Sequence, residues 1–167
     1  MFKWMKKGWR DVVASMDGCR LAGVLGWQDI RQRYRRSSLG PFWLTISMGV
    51  LIGALGLVFG ALFAMETKEF IPFLSLGLIL WSLVTVTINE GCTAFTDSEA
   101  LIKQISLPLF IHILRVLWRN VIIFAHNLII FPVVLLFFGI PLRISALLVF
   151  PGLVLLLLNL SWISLLM

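Results

Sequence analysis

Between Arg31 and Trp43 the chain reads RQRYRRSSLGPFW, a basic and aromatic cluster that meets an uncharged run from Phe42 to Met65. A segment that is cationic and then wholly apolar marks the point where a chain enters a bilayer. The hydrocarbon core takes about 20 helical residues to cross. Each central Lys, Arg or Asp costs roughly 2.5 to 3.5 kcal/mol on insertion scales. The run from Phe42 therefore predicts a first membrane span, and the cluster before it predicts the side from which that span starts.

Composition agrees. Hydrophobic residues make up 60% of the 167, charged residues only 13%, and the mean hydropathy is +1.00. A soluble domain of this size has no use for so much apolar surface. The net charge of +6 would fit nucleic acid, but its placement excludes that partner. Residues 1–41 hold nine basic residues (Lys3, Lys6, Lys7, Arg10, Arg20, Arg31, Arg33, Arg35, Arg36) against Asp11, Asp17 and Asp29, so the entire excess precedes the first span. By the positive-inside rule this predicts a cytoplasmic N-terminus. A cleaved signal peptide is not expected, because DVVASMDGCR over 11–20 interrupts any apolar core. Cys19 and Cys92 have neither metal-like spacing nor a partner pattern, so two unpaired thiols are expected.

From that anchor the pattern predicts an all-α integral membrane protein: cytoplasmic interface helices over 1–41, then a transmembrane domain over 42–167 with four spans. Phe2, Met5 and Trp9 share one face of a first interfacial helix, with the basic residues around the other. A second amphipathic segment runs from about Leu21 to Arg36, and Pro41 suits the first turn of the next helix. The spans are placed at about 42–65, 70–93, 111–138 and 144–167. Between the second and third, TDSEALIKQISLP over 96–108 is too short and polar to cross and reads as a cytoplasmic loop over 97–108, in which Ala100, Leu101, Ile102 and Ile105 make a short amphipathic helix closed by Pro108. Leu153–Met167 ends without a polar flank to anchor it, from which a longer natural protein is expected.

Three features inside the spans carry candidate functions. Gly49, Gly53, Gly56 and Gly60 fall within roughly 60° of one another on a helix, giving one face of nearly bare backbone that serves either close helix packing or a smooth conduit wall. His112, Arg115, Arg119 and His126 share a face of the third span. The two arginines either reach the headgroups, with the histidines bonding neighbouring helices, or line a vestibule for a phosphate-bearing substrate, a group that bidentate Arg suits. Glu90 is placed to pair with either Arg115 or Arg119, or to cap its own helix near the interface. The Arg31–Arg36 cluster itself attracts anionic headgroups, whether of bulk lipid or of a substrate. Most of the abundant aromatics, Trp43, Trp81, Trp118 and Trp162 among them, are expected as interface or packing residues.

No phosphate-binding loop, nucleophile elbow or HExxH is present, so no covalent chemistry and no cofactor are read from this chain. All eight acids fall near span ends or in loops, unlike the mid-membrane acids of ion-coupled carriers. If the chain drives transport, an external motor is the better inference.

Two stretches resemble a known family, the membrane permeases of ABC-2-type exporters of cell-surface polysaccharide (O-antigen, capsule and teichoic acid). LGWQDIRQRYRRSSLGPFWLTI over 25–46 is similar to that family's R-Y-x-x-S-x-L-G-x-x-W signature through Arg33, Tyr34, Ser37, Leu39, Gly40 and Trp43. SEALIKQISLPLFIHILRVL over 98–117 resembles its cytoplasmic loop through Leu101, Ile102, Lys103 and Pro108. The resemblance implies a homodimeric, six-span permease in the bacterial inner membrane, of which four spans are present here. It further implies two separate ABC ATPase subunits carrying ATP and magnesium, and an undecaprenyl-linked glycan as cargo. On that basis Arg31, Arg33, Tyr34, Arg35, Arg36, Arg115 and Arg119 are candidates for receiving the lipid headgroup. Asp29, Asp97, Glu99, Lys103 and Gln104 are candidates for contact with the ATPase, and membrane lipids are further partners. The alternatives are an ABC-2 exporter of drugs or other lipids, an ion-coupled carrier or channel, and a non-transport scaffold for glycan enzymes.

Overall fold

The structure, a computed structural model, describes residues 19–35, 40, 42–63, 66–104, 107–141 and 148–166. The expected helix over the first ten residues, and the side chains of Arg36, Ser37 and Leu39, lie outside them. Among the described residues regular structure is helical throughout, with no strand. The helices run α1 (Cys19–Tyr34), α2 (Phe42–Phe63), α3 (Thr67–Asp97), α4 (Glu99–Gln104), α5 (Phe110–Leu128), α6 (Ile130–Phe138) and α7 (Val149–Leu166).

Four stretches are long and apolar enough to cross a membrane: Phe42–Phe63, Thr67–Gln104, Phe110–Phe138 and Val149–Leu166. The protein is an all-α membrane protein. Their surfaces match a lipid solvent, for Leu57, Leu62, Phe73, Leu136 and Phe137 stand well exposed and no charge lies in α2, α6 or α7. In hydrocarbon such side chains lose nothing by facing outward, while every backbone group must bond within its own helix.

The second span departs most from the sequence pattern. The second span extends to Thr67–Asp97, where 70–93 was expected. It passes through one turn residue, Ser98, into α4, the short helix expected between the second and third spans. At 1.5 Å per residue, Thr67–Gln104 is about 57 Å long, far more than the roughly 30 Å hydrocarbon core. Its last turns therefore stand outside the apolar layer.

The third span is Phe110–Phe138, within a residue of the expected 111–138, with one turn residue, Ile129, between α5 and α6. Pro132 has no N–H for the Leu128 carbonyl, and its ring crowds that carbonyl. The Ile129 N–H turns back to His126 instead, at 3.2 Å, and the helix restarts as α6. Gly139 ends α6 at φ +63, with Gly139 and Ile140 donating to the Leu136 and Leu135 carbonyls. That paired bonding fits glycine's tolerance of the left-handed conformation. The fourth helix is described over Val149–Leu166, within the expected span, whose first residues, 144–147, lie outside the described ones.

The chain divides into two compact units. One comprises residues 1–33, 86–120 and 154–167, the other 34–85 and 121–153. In the first, Ala22, Ile30, Ala94, Ile111, Ile113, Val116, Leu117 and Leu160 form the core. In the second, Ile52, Ile79, Leu83, Phe124 and Leu135 do.

Small residues set the closest approach of helices in each unit. A methyl group on Gly91 would lie 2.5 Å from Ser164 Oγ and 3.2 Å from the Ser164 Cα, so α3 meets α7 backbone to backbone. In the other unit the Gly56 position is closed by the Ile71 side chain at 2.9 Å. Of the four glycines predicted to share a packing or conduit face on α2, only Gly56 is buried against a neighbour. Gly60 reaches Thr67 Oγ1 at 4.0 Å, and Gly49 and Gly53 meet nothing within 4 Å.

These contacts predict opposite responses to the same substitution. Gly91→Ala should lower the thermal midpoint of the detergent-solubilised protein by forcing α7 away from α3. Gly77→Ala, where a methyl group meets nothing within 4 Å, should hold or raise it, since alanine favours helix over glycine by up to about 1 kcal/mol.

Candidate functional site

Helix α1 is the only described element before the first span, and one of its faces is built for close contact. Ala22, Gly26 and Ile30 recur every four residues and are buried. A methyl group on Gly26 would stand 3.1 Å from both the Arg115 carbonyl oxygen and the Trp118 ring, so α1 lies against the backbone of α5 there. Gly23 faces the Trp118 indole nitrogen at 3.8 Å. Glycine at these positions brings the next turn of α1, with Asp29 and Arg33, within side-chain reach of the charges on α5 and α3.

Those charges form a five-residue ion cluster. Arg115 grips Asp29 with two nitrogens, Nε to Oδ2 at 2.6 Å and Nη2 to Oδ1 at 2.5 Å. Arg119 donates through Nη1 to the same carboxylate at 3.1 Å and through Nη2 to Glu90 Oε2 at 2.8 Å. Arg33 ends the chain of bonds, donating to Glu90 Oε1 at 3.0 Å. Both carboxylates thus accept from two arginines, and Arg119 bridges them. The Asp29, Glu90 and Arg119 side chains are 12%, 18% and 13% exposed, while that of Arg33 is 47% exposed.

Helix lengths indicate the depth of this cluster. From Thr67 to Glu90 along α3 is about 35 Å, and from Arg119 to Phe138 is about 29 Å along α5 and α6. Each is close to the hydrocarbon thickness. Glu90 and Arg119 thus each lie about one hydrocarbon thickness along the helical path from the opposite end of their runs, and charge is sustainable at such a position where guanidiniums and carboxylates pair closely.

The cluster brings several candidate residues together. Asp29, a candidate for contact with the ATPase, holds Arg115 and Arg119. The two arginines, candidates for receiving a headgroup, have donors engaged by the internal carboxylates Asp29 and Glu90. Glu90 pairs with Arg119, one of its two expected partners, and with Arg33 in place of Arg115. It does not cap its helix, since α3 continues to Asp97. Among the described residues neither histidine bonds a neighbouring helix. The His126 Nδ1–H donates to the Ile122 carbonyl in its own helix at 2.8 Å, with the ring edge-on to Phe42 at 5.8 Å. His112 is buried, and neither ring nitrogen has a hydrogen-bond partner among the described residues; the same holds for the side-chain amide of Asn120.

The remaining candidates are at the surface. Arg31 and Arg35 are exposed and Tyr34 is half-buried. Asp97, Glu99, Lys103 and Gln104 are all exposed at the far end of the long second span. There Thr93 donates to Asp97 at 3.0 Å, and Glu99 pairs with Lys103 one turn on. Among the described residues no three His, Cys, Asp or Glu side chains gather as a metal site.

No protein-family model, curated protein or solved structure matches the chain.

The burial gradient across the cluster predicts unequal costs. Glu90→Gln should lower unfolding stability by roughly 3 kcal/mol, because it leaves buried Arg119 only the Asp29 carboxylate that it shares with Arg115. Arg33→Gln, at the exposed edge, should cost about 1 kcal/mol or less. Chemical unfolding of both variants in detergent, followed by helical circular dichroism, checks the ranking.

Proposed function

We propose that the chain is the permease subunit of an ATP-driven ABC-2-type exporter that carries lipid-linked polysaccharide across the bacterial inner membrane. In this reading its N-terminus is cytoplasmic, and it acts as a homodimer with two separate ATPase subunits that bind ATP and magnesium. The observation that carries the reading is the ion cluster. It ties a short helix lying before the first span to the second and third spans at one membrane boundary, so that helix and spans move as a single lever.

Support comes from three places. The R-Y-x-x-S-x-L-G-x-x-W pattern falls at the junction of α1 and α2, starting with the Arg33 that closes the cluster. The second span continues beyond the hydrocarbon, with exposed Asp97, Glu99, Lys103 and Gln104 offering a polar surface to an ATPase. The nine basic residues before the first span favour retention of that side in the cytoplasm.

The mechanical sequence follows from these placements. ATP-driven closure of the motor would press on the Asp97–Gln104 turns. The displacement would pass along α3 to Glu90, and through Arg119 and Asp29 to α5 and α1. Half-exposed Arg33, together with Arg31, Arg35 and Arg36, would gather the anionic headgroup beside the first span. A motor acting through a rigid joint shifts the balance between two arrangements of the helices, which is all that a nucleotide cycle needs to do.

Depleting the gene in its host, with radiolabelled lipid-linked glycan followed in the cytoplasmic leaflet and polymer followed at the surface, tests the proposal. Loss of surface polymer with internal accumulation is the expected outcome. Unchanged surface polymer in a host without a redundant exporter would refute the glycan cargo and favour an exporter of drugs or other lipids.

A further inference from the structure

The two faces of α1 are chemically different. Its inner arc carries Ala22, Gly26, Asp29, Ile30 and Arg33, committed to α5 and to the ion cluster. Placed at 100° per residue, Arg20, Leu21, Val24, Trp27 and Arg31 fall on the opposite arc, and all are exposed. Arg35 follows on the same side, one residue past the helix end.

This outer arc joins two features. Leu21, Val24 and Trp27 are 40%, 50% and 53% exposed, and beside them Trp118, which Gly23 and Gly26 touch, is 48% exposed. Arg20, Arg31 and Arg35 pair with no carboxylate among the described residues. The one acid of the helix, Asp29, is turned inward and already holds two arginines. The surface presented outward is therefore apolar, tryptophan-bearing and purely cationic.

We infer that the outer arc of α1 is a docking face for the anionic lipids of the leaflet at the cluster's boundary. Trp27, Trp118, Val24 and Leu21 seat at the level of the acyl–headgroup junction, and Arg20, Arg31 and Arg35 bind the phosphate headgroups around them. The chemistry selects this occupant. An indole seats well where apolar and wet layers meet, and guanidinium side chains beside an apolar stripe match an anionic bilayer surface. A soluble protein partner would have to bury two exposed tryptophans while also supplying carboxylates for three unpaired arginines.

The inference requires only that the chain sits in a bilayer, so it stands or falls apart from the exporter reading. If the outer arc rests on lipid, contact with a motor subunit falls to the exposed Asp97–Gln104 turns. That contact leaves α1 as the element that senses leaflet charge.

The test uses the intact chain in nanodiscs of equimolar phosphatidylcholine and phosphatidylglycerol, with retained lipids counted by native mass spectrometry after release into detergent. The wild type should retain phosphatidylglycerol in excess. The triple variant Arg20→Gln, Arg31→Gln, Arg35→Gln should lose that excess by up to about fivefold per arginine. The charge-keeping triple Arg20→Lys, Arg31→Lys, Arg35→Lys should retain it, which separates lost binding from lost folding. Equal retention of the two lipids by the wild type, or an undiminished excess in the glutamine variant, would overturn the inference. So would loss of the excess in the lysine variant.

Discussion

Arg119 shares one guanidinium between Asp29 and Glu90, and the arrangement of the surrounding helices depends on that sharing. A charge at the edge of hydrocarbon is tolerated only with partners close by. Three arginines and two carboxylates from three helices meet this requirement, each charge having an opposite partner within 3.1 Å. The geometry leaves little freedom: Arg115 is bidentate on Asp29, and each carboxylate takes bonds from two arginines. Displacing any one of these helices would leave a charge on another without its partner. Polar contacts of this kind lock position more firmly than apolar packing does, because lipid tails compete with leucine but not with a carboxylate.

The glycines make the cluster geometrically possible. Gly26 lets α1 approach the α5 backbone, bringing a carboxylate as short as that of Asp29 within reach of Arg115 and Arg119. Gly91, one position after Glu90, similarly admits α7 at Ser164. The glycines of α2 stood out most clearly in the sequence, yet only Gly56 is closed upon by a neighbour. Spacing alone did not distinguish a glycine that admits another helix from one that does not.

The broad fold was readable because it rests on local quantities. Uncharged runs long enough to cross hydrocarbon need no tertiary information. The break at Ile129 was also present locally, in Pro132, but a continuous apolar run masks a proline unless the missing N–H is considered. The role of Asp29 could not be read in the same way. Its partners lie 86 and 90 positions away, and a lone acid in a basic segment looks like a surface contact. Glu90 was easier, since a carboxylate so near an apolar run must have a cation, and Arg119 was one of two on offer. The inner and outer arcs of α1 become distinct only once Gly26 shows which side meets α5.

The account holds that charge pairing, rather than apolar contact, fastens α1 to the spans. Amide hydrogen exchange across residues 19–34 measures this directly in Asp29→Arg, Arg115→Asp and the charge-swapped double variant. Faster exchange of α1 in each single variant, with protection recovered in the double, is the predicted result. Wild-type protection of α1 in both single variants would contradict the account and assign the fastening to Gly26 and its apolar neighbours.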